Sequence, residues 1–393
     1  MSITDKFNDK KVLIWGYGME GKSTEAFLKT HCKPKSIEIY EGKREDLDDS
    51  AFDYIFKSPG IPGLYPDEKY TSQTEIFLES YRDQIIGITG TKGKSTTSSM
   101  LYSVLDSCGQ RKTLLVGNIG IPALDYFGQV DKDTIIVMEM SCHQLNNVKV
   151  SPKVSVFLNL YEEHLDYYKT MDAYFAAKAN VTKFQQPGDY LYKGKNVPEI
   201  PTKASVIPIE EFVNSRFDLS ILGLHNQWNA NVVYDIATKI YGLDDEKVRE
   251  VMKNFKGLPH RLEYVCNKDG VDYYDDSIST IPTACISAVH SIPNVKAVIV
   301  GGMDRGIDYA TLVSFIKETK DVIFLCTYAS GKRVMEEIGE ELPNCIYVED
   351  IDGAISYVKA NIKKGSCVLS PAAASYGYFK NFNERGDYYR SKI

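Results

Sequence analysis

The sequence predicts an α/β protein with parallel sheets, laid out as three successive blocks. Three observations predict it. Short β-branched apolar runs recur at residues 11–15, 85–89, 134–138, 154–159, 295–300, 322–326 and 366–370, with helical stretches between them. Apolar strands of this length alternating with helices belong to parallel sheets covered on both faces. A glycine-rich loop follows a strand twice, near residue 16 and again near residue 90. Finally, 393 residues exceed what one ordinary core organises.

The first block, residues 1–80, opens with the strand at 11–15 and contains Ser58-Pro-Gly-Ile-Pro-Gly63. A new strand–loop–helix unit begins at Ile85 and opens the second block, residues 81–256. The turn-rich Gly257-Leu-Pro-His-Arg261 marks a hinge into the third, residues 257–393.

Composition excludes several classes. Hydrophobic residues make up 43% and charged residues 25%, the balance of a folded soluble chain. The net charge is −7, so no general basic field is available for nucleic acid or an anionic membrane. The eight cysteines are scattered without a CxxC pair. They read as buried thiols in a reducing compartment and argue against a structural zinc site. The start MSITDKFNDKK is polar and no long apolar run occurs. A cytoplasmic protein without membrane insertion is expected.

The stretch IIGITGTKGKSTT, residues 85–97, is the most informative. A buried strand runs into Gly90-Thr91-Lys92-Gly93-Lys94-Ser95, and a helix is expected to start near Thr96. Backbone N–H groups of such a loop, helped by the helix N-terminus, bind phosphate oxygens. Lys94 is then placed for the β- and γ-phosphates and the Ser95 hydroxyl for Mg²⁺. The strict phosphate-loop pattern asks for glycine at position 88, where this chain has Ile88. The bland alternative is an ordinary glycine turn with a solvated Lys94; the flanking strand and helix favour nucleotide binding.

The earlier loop, Gly16-Tyr17-Gly18-Met19-Glu20-Gly21, fits GxGxxG after a strand, and Glu41 closes the next strand, Ser36–Tyr40. Alone this reads as a dinucleotide fold with Glu41 on a ribose hydroxyl. An NAD-dependent dehydrogenase is therefore a rival reading, but it leaves the second glycine loop unexplained.

The further motifs, in order, are Gly117-Asn-Ile-Gly120, Glu139-Met-Ser-Cys-His-Gln144, Asn159-Leu-Tyr-Glu-Glu-His-Leu-Asp166, Ala176-Ala-Lys178 and His225-Asn226 with Asn229. Asp275-Asp-Ser277, Leu369-Ser-Pro-Ala-Ala-Ala-Ser375 and Phe379-Lys-Asn-Phe-Asn-Glu-Arg-Gly386 follow the hinge. Taken with both glycine loops, this series resembles the Mur ligases nearly end to end, most closely their D-glutamate-adding branch. The resemblance implies a Rossmann-like N-terminal domain for a UDP sugar, a central P-loop ATPase domain and a Rossmann-like C-terminal domain. It implies ATP and Mg²⁺ as cofactors, and a UDP-muramyl amino acid and glutamate as small-molecule substrates. The reaction implied is D-glutamate addition to UDP-N-acetylmuramoyl-L-alanine through an acyl phosphate, in peptidoglycan precursor synthesis. A monomer is expected.

The resemblance also distributes roles. Lys94, His164 and Lys178 would be catalytic. Ser95, Glu139, His164 and Lys178 would hold Mg²⁺, with Lys178 carbamylated. A carbamate needs a neutral amine first, so the site must depress the lysine pKa. Gly90 through Thr96, Asn226, Asn229, Arg261 and Asp276 would bind ATP. Gly16, Tyr17, Gly18, Met19, Glu41, Ser58, Asn118, Ser141 and Gln144 would surround the UDP substrate. Thr280, Ser375 and Phe382 would cradle the amino acid. Both Glu139 and His164 are expected at strand ends, where ligands gather in a doubly wound sheet. Each position has a plainer reading: a turn histidine at His164, a solvated helix lysine at Lys178, an N-cap at Asn226, a surface charge at Arg261.

The chain departs from the family pattern in three places. Lys92 replaces an asparagine in the phosphate loop. Ile278 stands where the family has a lysine that helps hold the glutamate side chain, a loss worth roughly 1.5–3 kcal/mol unless another cation such as Arg305 compensates. The segment between Lys178 and His225 is short, which reads as trimmed loops. Because of Ile278, a sibling ligase adding L-glutamate or another amino acid stays open, as does a non-catalytic nucleotide-binding protein of the same fold.

Overall fold

Three parallel or mostly parallel sheets organise the chain. The computed structural model describes residues 3–393, the side chain of Asp166 excepted. The described residues form two compact units: one runs to Asp218 and includes Leu224–Asn254, the other comprises Leu219–Gly223 and Phe255–Ile393.

The first unit holds two sheets. The first is parallel in the order β2-β1-β3-β4, from β1 (Lys11–Trp15), β2 (Ser36–Tyr40), β3 (Tyr54–Lys57) and β4 (Tyr70–Thr71). The second is parallel in the order β10-β9-β8-β5-β7-β6. Its strands are β5 (Ile85–Thr89), β6 (Thr113–Gly117), β7 (Ile135–Glu139), β8 (Val154–Phe157), β9 (Tyr190–Lys193) and β10 (Ser205–Pro208). Helices of this unit are α1 (Met19–His31), α2 (Gln73–Tyr81), α3 (Lys94–Cys108), α4 (Cys142–Leu145), α5 (Leu165–Tyr168), α6 (Met171–Lys183), α7 (Leu224–Asp235) and α8 (Asp245–Asn254). A π-helical segment, Ile236–Ile240, continues α7.

The apolar runs read as strands because they are buried on both faces. Every residue of β5 is buried, and Ile85, Ile86 and Ile88 lie in the core. Each such side chain contributes about 1.5–3 kcal/mol by leaving water. Ile88 thus belongs to the strand, and the phosphate turn begins only at Gly90, where φ is +151°. That is why the strict glycine position is not needed here.

The second unit contains one sheet in the order β11-β12-β16-β13-β14-β15. Its strands are β11 (Glu263–Lys268), β12 (Val271–Asp275), β13 (Val295–Gly301), β14 (Ile323–Thr327), β15 (Cys345–Tyr347) and β16 (Gly365–Leu369). The β11–β12 hairpin is antiparallel and the other pairings are parallel. The helices are α9 (Pro282–Ser291), α10 (Ala310–Glu318), α11 (Tyr328–Ile338), α12 (Ile351–Asn361) and α13 (Phe382–Lys392). Six of the eight cysteines are buried as free thiols, while Cys108 and Cys266 are half-buried. No helix among the described residues is long and apolar enough to cross a membrane.

Candidate active site

Strands β8, β5, β7 and β6 are consecutive neighbours, so the loops leaving their C-terminal ends gather at one edge. The loop after β5 is Gly90–Gly93, with φ of +85° at Gly93. A Cβ on Gly93 would lie 2.9 Å from Asn229 Oδ1, so the backbone approach there requires glycine. Asn159, just beyond β8, clamps the loop. Its side-chain oxygen accepts from the Lys92 N–H at 2.8 Å, and its amide donates to the Lys92 carbonyl at 3.0 Å. Its own carbonyl accepts from the Thr91 N–H at 3.0 Å. Helix α3 starts at Lys94, two residues before the expected Thr96, and Gly93 caps it without a side-chain hydrogen bond. The first-turn amides at Lys94, Ser95 and Thr96 therefore carry the positive end of a long helix without a competing side-chain cap.

Two lysines meet behind this loop. The Lys94 ammonium donates to the Gly90 and Thr91 carbonyls at 2.9 and 3.0 Å. The Lys178 ammonium, from α6, donates to the same Gly90 carbonyl at 2.8 Å. Lys178 is 1% exposed and its Nζ lies 4.9 Å from the Tyr174 ring centroid. Burial, and then the nearby Lys94 charge, push Lys178 down to about 7. Burial also lowers Lys94, with the Glu139 carboxylate opposing the shift. The depressed amine expected at Lys178 is thus present. The Tyr174 hydroxyl lies 3.2 Å from Thr91 Oγ1, which ties α6 to the loop.

Glu139 is the last residue of β7 and is fully buried. Its Oε1 accepts from Asn118 Nδ2 at 2.7 Å, whereas Oε2 is buried with no hydrogen-bond partner. A buried carboxylate oxygen without a donor is costly unless it faces a cation. His164 does not end a strand as expected: β8 stops at Phe157, and His164 precedes α5 with φ of +58°. The loop between them, residues 158–163, carries Asn159 and Glu163 to the nucleotide loop before turning into α5. Lys92 pairs there with Glu163 at 2.6 Å, and the His164 ring lies 5.0 Å from that of His143. The side chain of Asp166, which closes this motif, lies outside the described residues. Asn226 and Asn229 share a helix face in α7, linked by a 3.1 Å hydrogen bond.

The first glycine loop is built in the same manner. Gly16 has φ of +90° and accepts from Ser58 Oγ at 2.8 Å, while a Cβ on Gly21 would lie 2.3 Å from the Gly16 oxygen. Gly18 caps α1, Met19 is 80% exposed, and the Tyr17 hydroxyl donates to Glu25 at 2.5 Å. Glu41 is exposed just after β2. Ser141 and Gln144 form a capping box on α4, and Gln144 Nε2 also donates to Glu20 Oε1 at 2.8 Å. Glu20 lies in the first turn of α1, directly after the glycine loop, so this bond joins the start of α1 to α4.

In the second unit the strands β12, β16 and β13 are neighbours, and the residues after them form another edge. Asp276 is buried and accepts from the Leu262 N–H at 3.1 Å, from Ser370 Oγ at 2.8 Å and from Ser279 Oγ. Burial raises it to about 6 against those hydrogen bonds. Thr280 and Ile278 are half-buried beside it, and Ser375 is buried. The Phe382 carbonyl accepts from Ser277 Oγ at 2.8 Å. Arg261 is half-buried and Arg305 exposed.

Asn159, Glu163 and Glu20 fall within motifs quoted above and Tyr174 just before one, but none of the four was assigned a role from the sequence. Only strand order could have pointed to Asn159, because its contact depends on β8 lying next to β5.

Two family descriptions match this chain: the Mur ligase middle domain over residues 88–197, and the Mur ligase, glutamate ligase domain over residues 260–373. The UDP-N-acetylmuramoylalanine–D-glutamate ligase of Streptococcus agalactiae is 32% identical, covering 98% of this chain and 97% of its own. That of Aquifex aeolicus is 30% identical, with 98% of each chain covered. Among solved structures, MurF ligase from Thermotoga maritima in complex with ADP superposes with a TM-score of 0.60 at 15% identity, covering 99% of this chain and 98% of its own.

Proposed function

The chain belongs to the Mur ligase family, and from that premise we propose that it is the ATP-dependent ligase that adds D-glutamate to UDP-N-acetylmuramoyl-L-alanine in peptidoglycan precursor synthesis. The observation that carries this reading is one strand edge that assembles a phosphate loop, the half-buried Lys94, the buried Lys178 and a buried carboxylate with one oxygen unpartnered. A dehydrogenase has no use for that assembly.

The domain plan proposed is 1–80 for the UDP substrate, 81–256 for ATP and 257–393 for the amino acid. A cytoplasmic monomer serving cell-wall biogenesis, and through it cell shape and division, accords with these substrates. Gly16 through Met19, Glu41, Ser58, Asn118, Ser141 and Gln144 are assigned to the UDP substrate. Asn226, Asn229, Arg261 and Asp276 are assigned to ATP, and Thr280, Ser375 and Phe382 to glutamate.

A carboxylate is a poor electrophile, and transfer of the γ-phosphoryl group to one of its oxygens creates a leaving group. The glutamate amine then attacks the acyl carbon, and inorganic phosphate departs as the amide forms. Most of this work is positioning and charge stabilisation. The α3 N-terminus and loop amides hold the phosphates, and Lys94 exchanges its loop carbonyls for phosphate oxygens. Glu139 suits Mg²⁺ because its free oxygen is buried, with Ser95, His164 and Lys178 as further holders. Mg²⁺ supplies neutralisation of phosphate charge. The Lys178 amine, with its pKa pushed down to about 7, has a large unprotonated fraction at physiological pH; that form adds to carbon dioxide with loss of a proton and becomes a carbamate, an anion in place of a cation.

Phosphate release with ATP, Mg²⁺ and UDP-N-acetylmuramoyl-L-alanine tests the reading. Turnover dependent on D-glutamate is expected, with another cation, such as Arg305, compensating Ile278. Turnover with L-glutamate alone would move the chain to the sibling activity.

A further inference from the structure

The N-terminal ends of β5, β7, β8 and β9 border a cavity of about 770 Å³, at the edge of the sheet away from the nucleotide loop. Small-molecule sites commonly span roughly 300–1,000 Å³. The last turn of α3, with Leu105 and Cys108, lines it, and so does the π-helical segment, through Lys239 and Ile240. Such segments are rare and concentrate at functional sites.

The charge of the cavity is decided by which groups are already paired. Lys239 pairs with Asp235 at 2.8 Å, and Asp83 with Arg82 at 2.8 Å. Asp244 accepts the Lys247 N–H at 3.1 Å and keeps its negative charge. Arg111, Lys132 and Lys153 remain without an ion pair among the described residues, against Asp133 and Asp244. Three unpaired cations against two carboxylates leave the cavity net positive in a chain of net charge −7, which favours an anion. Tyr190 and Tyr241 add aromatic surface, and Arg111 lies close enough to Tyr241 to oppose the rise that burial causes in its phenol.

The cavity is also joined to the nucleotide loop by two helices. Helix α3 begins in that loop at Lys94 and ends in the cavity. Helix α7 carries Asn229, which lies against Gly93, and its π-helical continuation reaches the cavity. The two helices pack together.

We infer that this cavity is a second ligand site, for a small organic anion with an aromatic body, and that its occupant acts on the nucleotide loop through α3 and α7. The binding stands apart from the ligase reading; only the action on the loop rests on nucleotide binding.

The test uses the full chain with phenyl phosphate as probe and inorganic phosphate as comparison, in calorimetry with the nucleotide loop saturated by Mg-ADP. One saturable site per chain is expected, weakened at least about tenfold in R111S/K132S/K153S. Leu243→Trp, which fills the cavity without touching these charges, is expected to abolish the same binding. A change of about fivefold in ADP affinity with the probe is expected in the unaltered chain and not in the variants. Absence of saturable binding, or binding that survives both variants, overturns the site. Equal binding of inorganic phosphate overturns the aromatic body. Binding that leaves ADP affinity unmoved overturns the action on the loop. ADP titrated without probe checks the nucleotide reading separately, so its failure is distinguishable.

Discussion

Lys94 and Lys178 donate to one carbonyl oxygen, that of Gly90, at 2.9 and 2.8 Å. Burial disfavours the Lys178 ammonium, and repulsion from the Lys94 ammonium on the same acceptor adds to it, which is why Lys178 falls to about 7 from its ordinary 10.5. The folded pKa lies below the unfolded one. Between about pH 7 and 10.5 the unfolded chain therefore binds more protons at this position, and the site's contribution to stability rises with pH. Lys178→Met removes this dependence. In buffer stripped of carbon dioxide, so that the Lys178 amine stays free, denaturant midpoints at pH 7 and pH 9 are expected to differ less in the variant than in the parent. An unchanged difference would assign Lys178 an ordinary pKa.

Lys94 is held by loop carbonyls in a position to swap them for phosphate oxygens. Lys94→Met keeps the stem and removes the charge. A loss of at least about 100-fold in kcat for phosphate release is expected, with a native circular dichroism spectrum. Retention of turnover would mean that the helix terminus alone handles the transferring charge.

How much of this was legible in the chain depends on what each residue needs. The glycine loops announced themselves because steric demands are local: Gly93 must tolerate φ of +85°. The fully buried β5 was equally plain, although Ile88 belongs to the strand and not to a longer turn. Helix α3 starts earlier than its pattern suggested because the loop itself supplies the first turn. Asn159 and Glu163 were opaque as site residues, since their partners lie across a strand pairing that no local pattern encodes. The placement of His164 after β8 was misread for a related reason: the apolar run ends, but the extended chain does not turn at once into a helix.

Gly93 separates backbone strain from crowding. Gly93→Ala places a residue with a Cβ at positive φ, costing about 1–2 kcal/mol, and crowds Asn229 at 2.9 Å. Asn229→Ala in that background relieves the crowding only. Chemical denaturation of the two single variants and the double variant is expected to show a double-variant cost below the sum of the singles. Strict additivity would place Asn229 away from the loop.

Asn159 orders the loop through two side-chain hydrogen bonds to Lys92. Asn159→Ala loses both, each worth roughly 0.5–1.5 kcal/mol. The loss is expected in nucleotide binding, with the ATP dissociation constant rising about fivefold or more. A fluorescent nucleotide titration reads it. Unchanged affinity would mean that the Thr91 and Tyr174 contacts suffice to set the loop.

Arg385, on α13, is buried and is the anchor of the second unit's edge. Its guanidinium donates to Ser277 Oγ at 3.0 Å, to the Ser277 carbonyl at 2.7 Å and to the Ala373 carbonyl at 3.0 Å. Burial lowers it to about 10, with Asp275 opposing. Ser277 in turn holds the Phe382 carbonyl, and Ala373 precedes Ser375 by two residues, so one side chain fixes the two residues assigned to glutamate. Arg385→Met leaves buried carbonyls without donors, costing about 1–3 kcal/mol each. The KM for D-glutamate is expected to rise several-fold more than that for ATP. Arg385→Lys restores charge but cannot span three acceptors, so it is expected to recover stability partly and the glutamate KM little. Equal loss of both KM values would give Arg385 a purely structural role, and recovery of the glutamate KM by lysine would show that charge alone matters there.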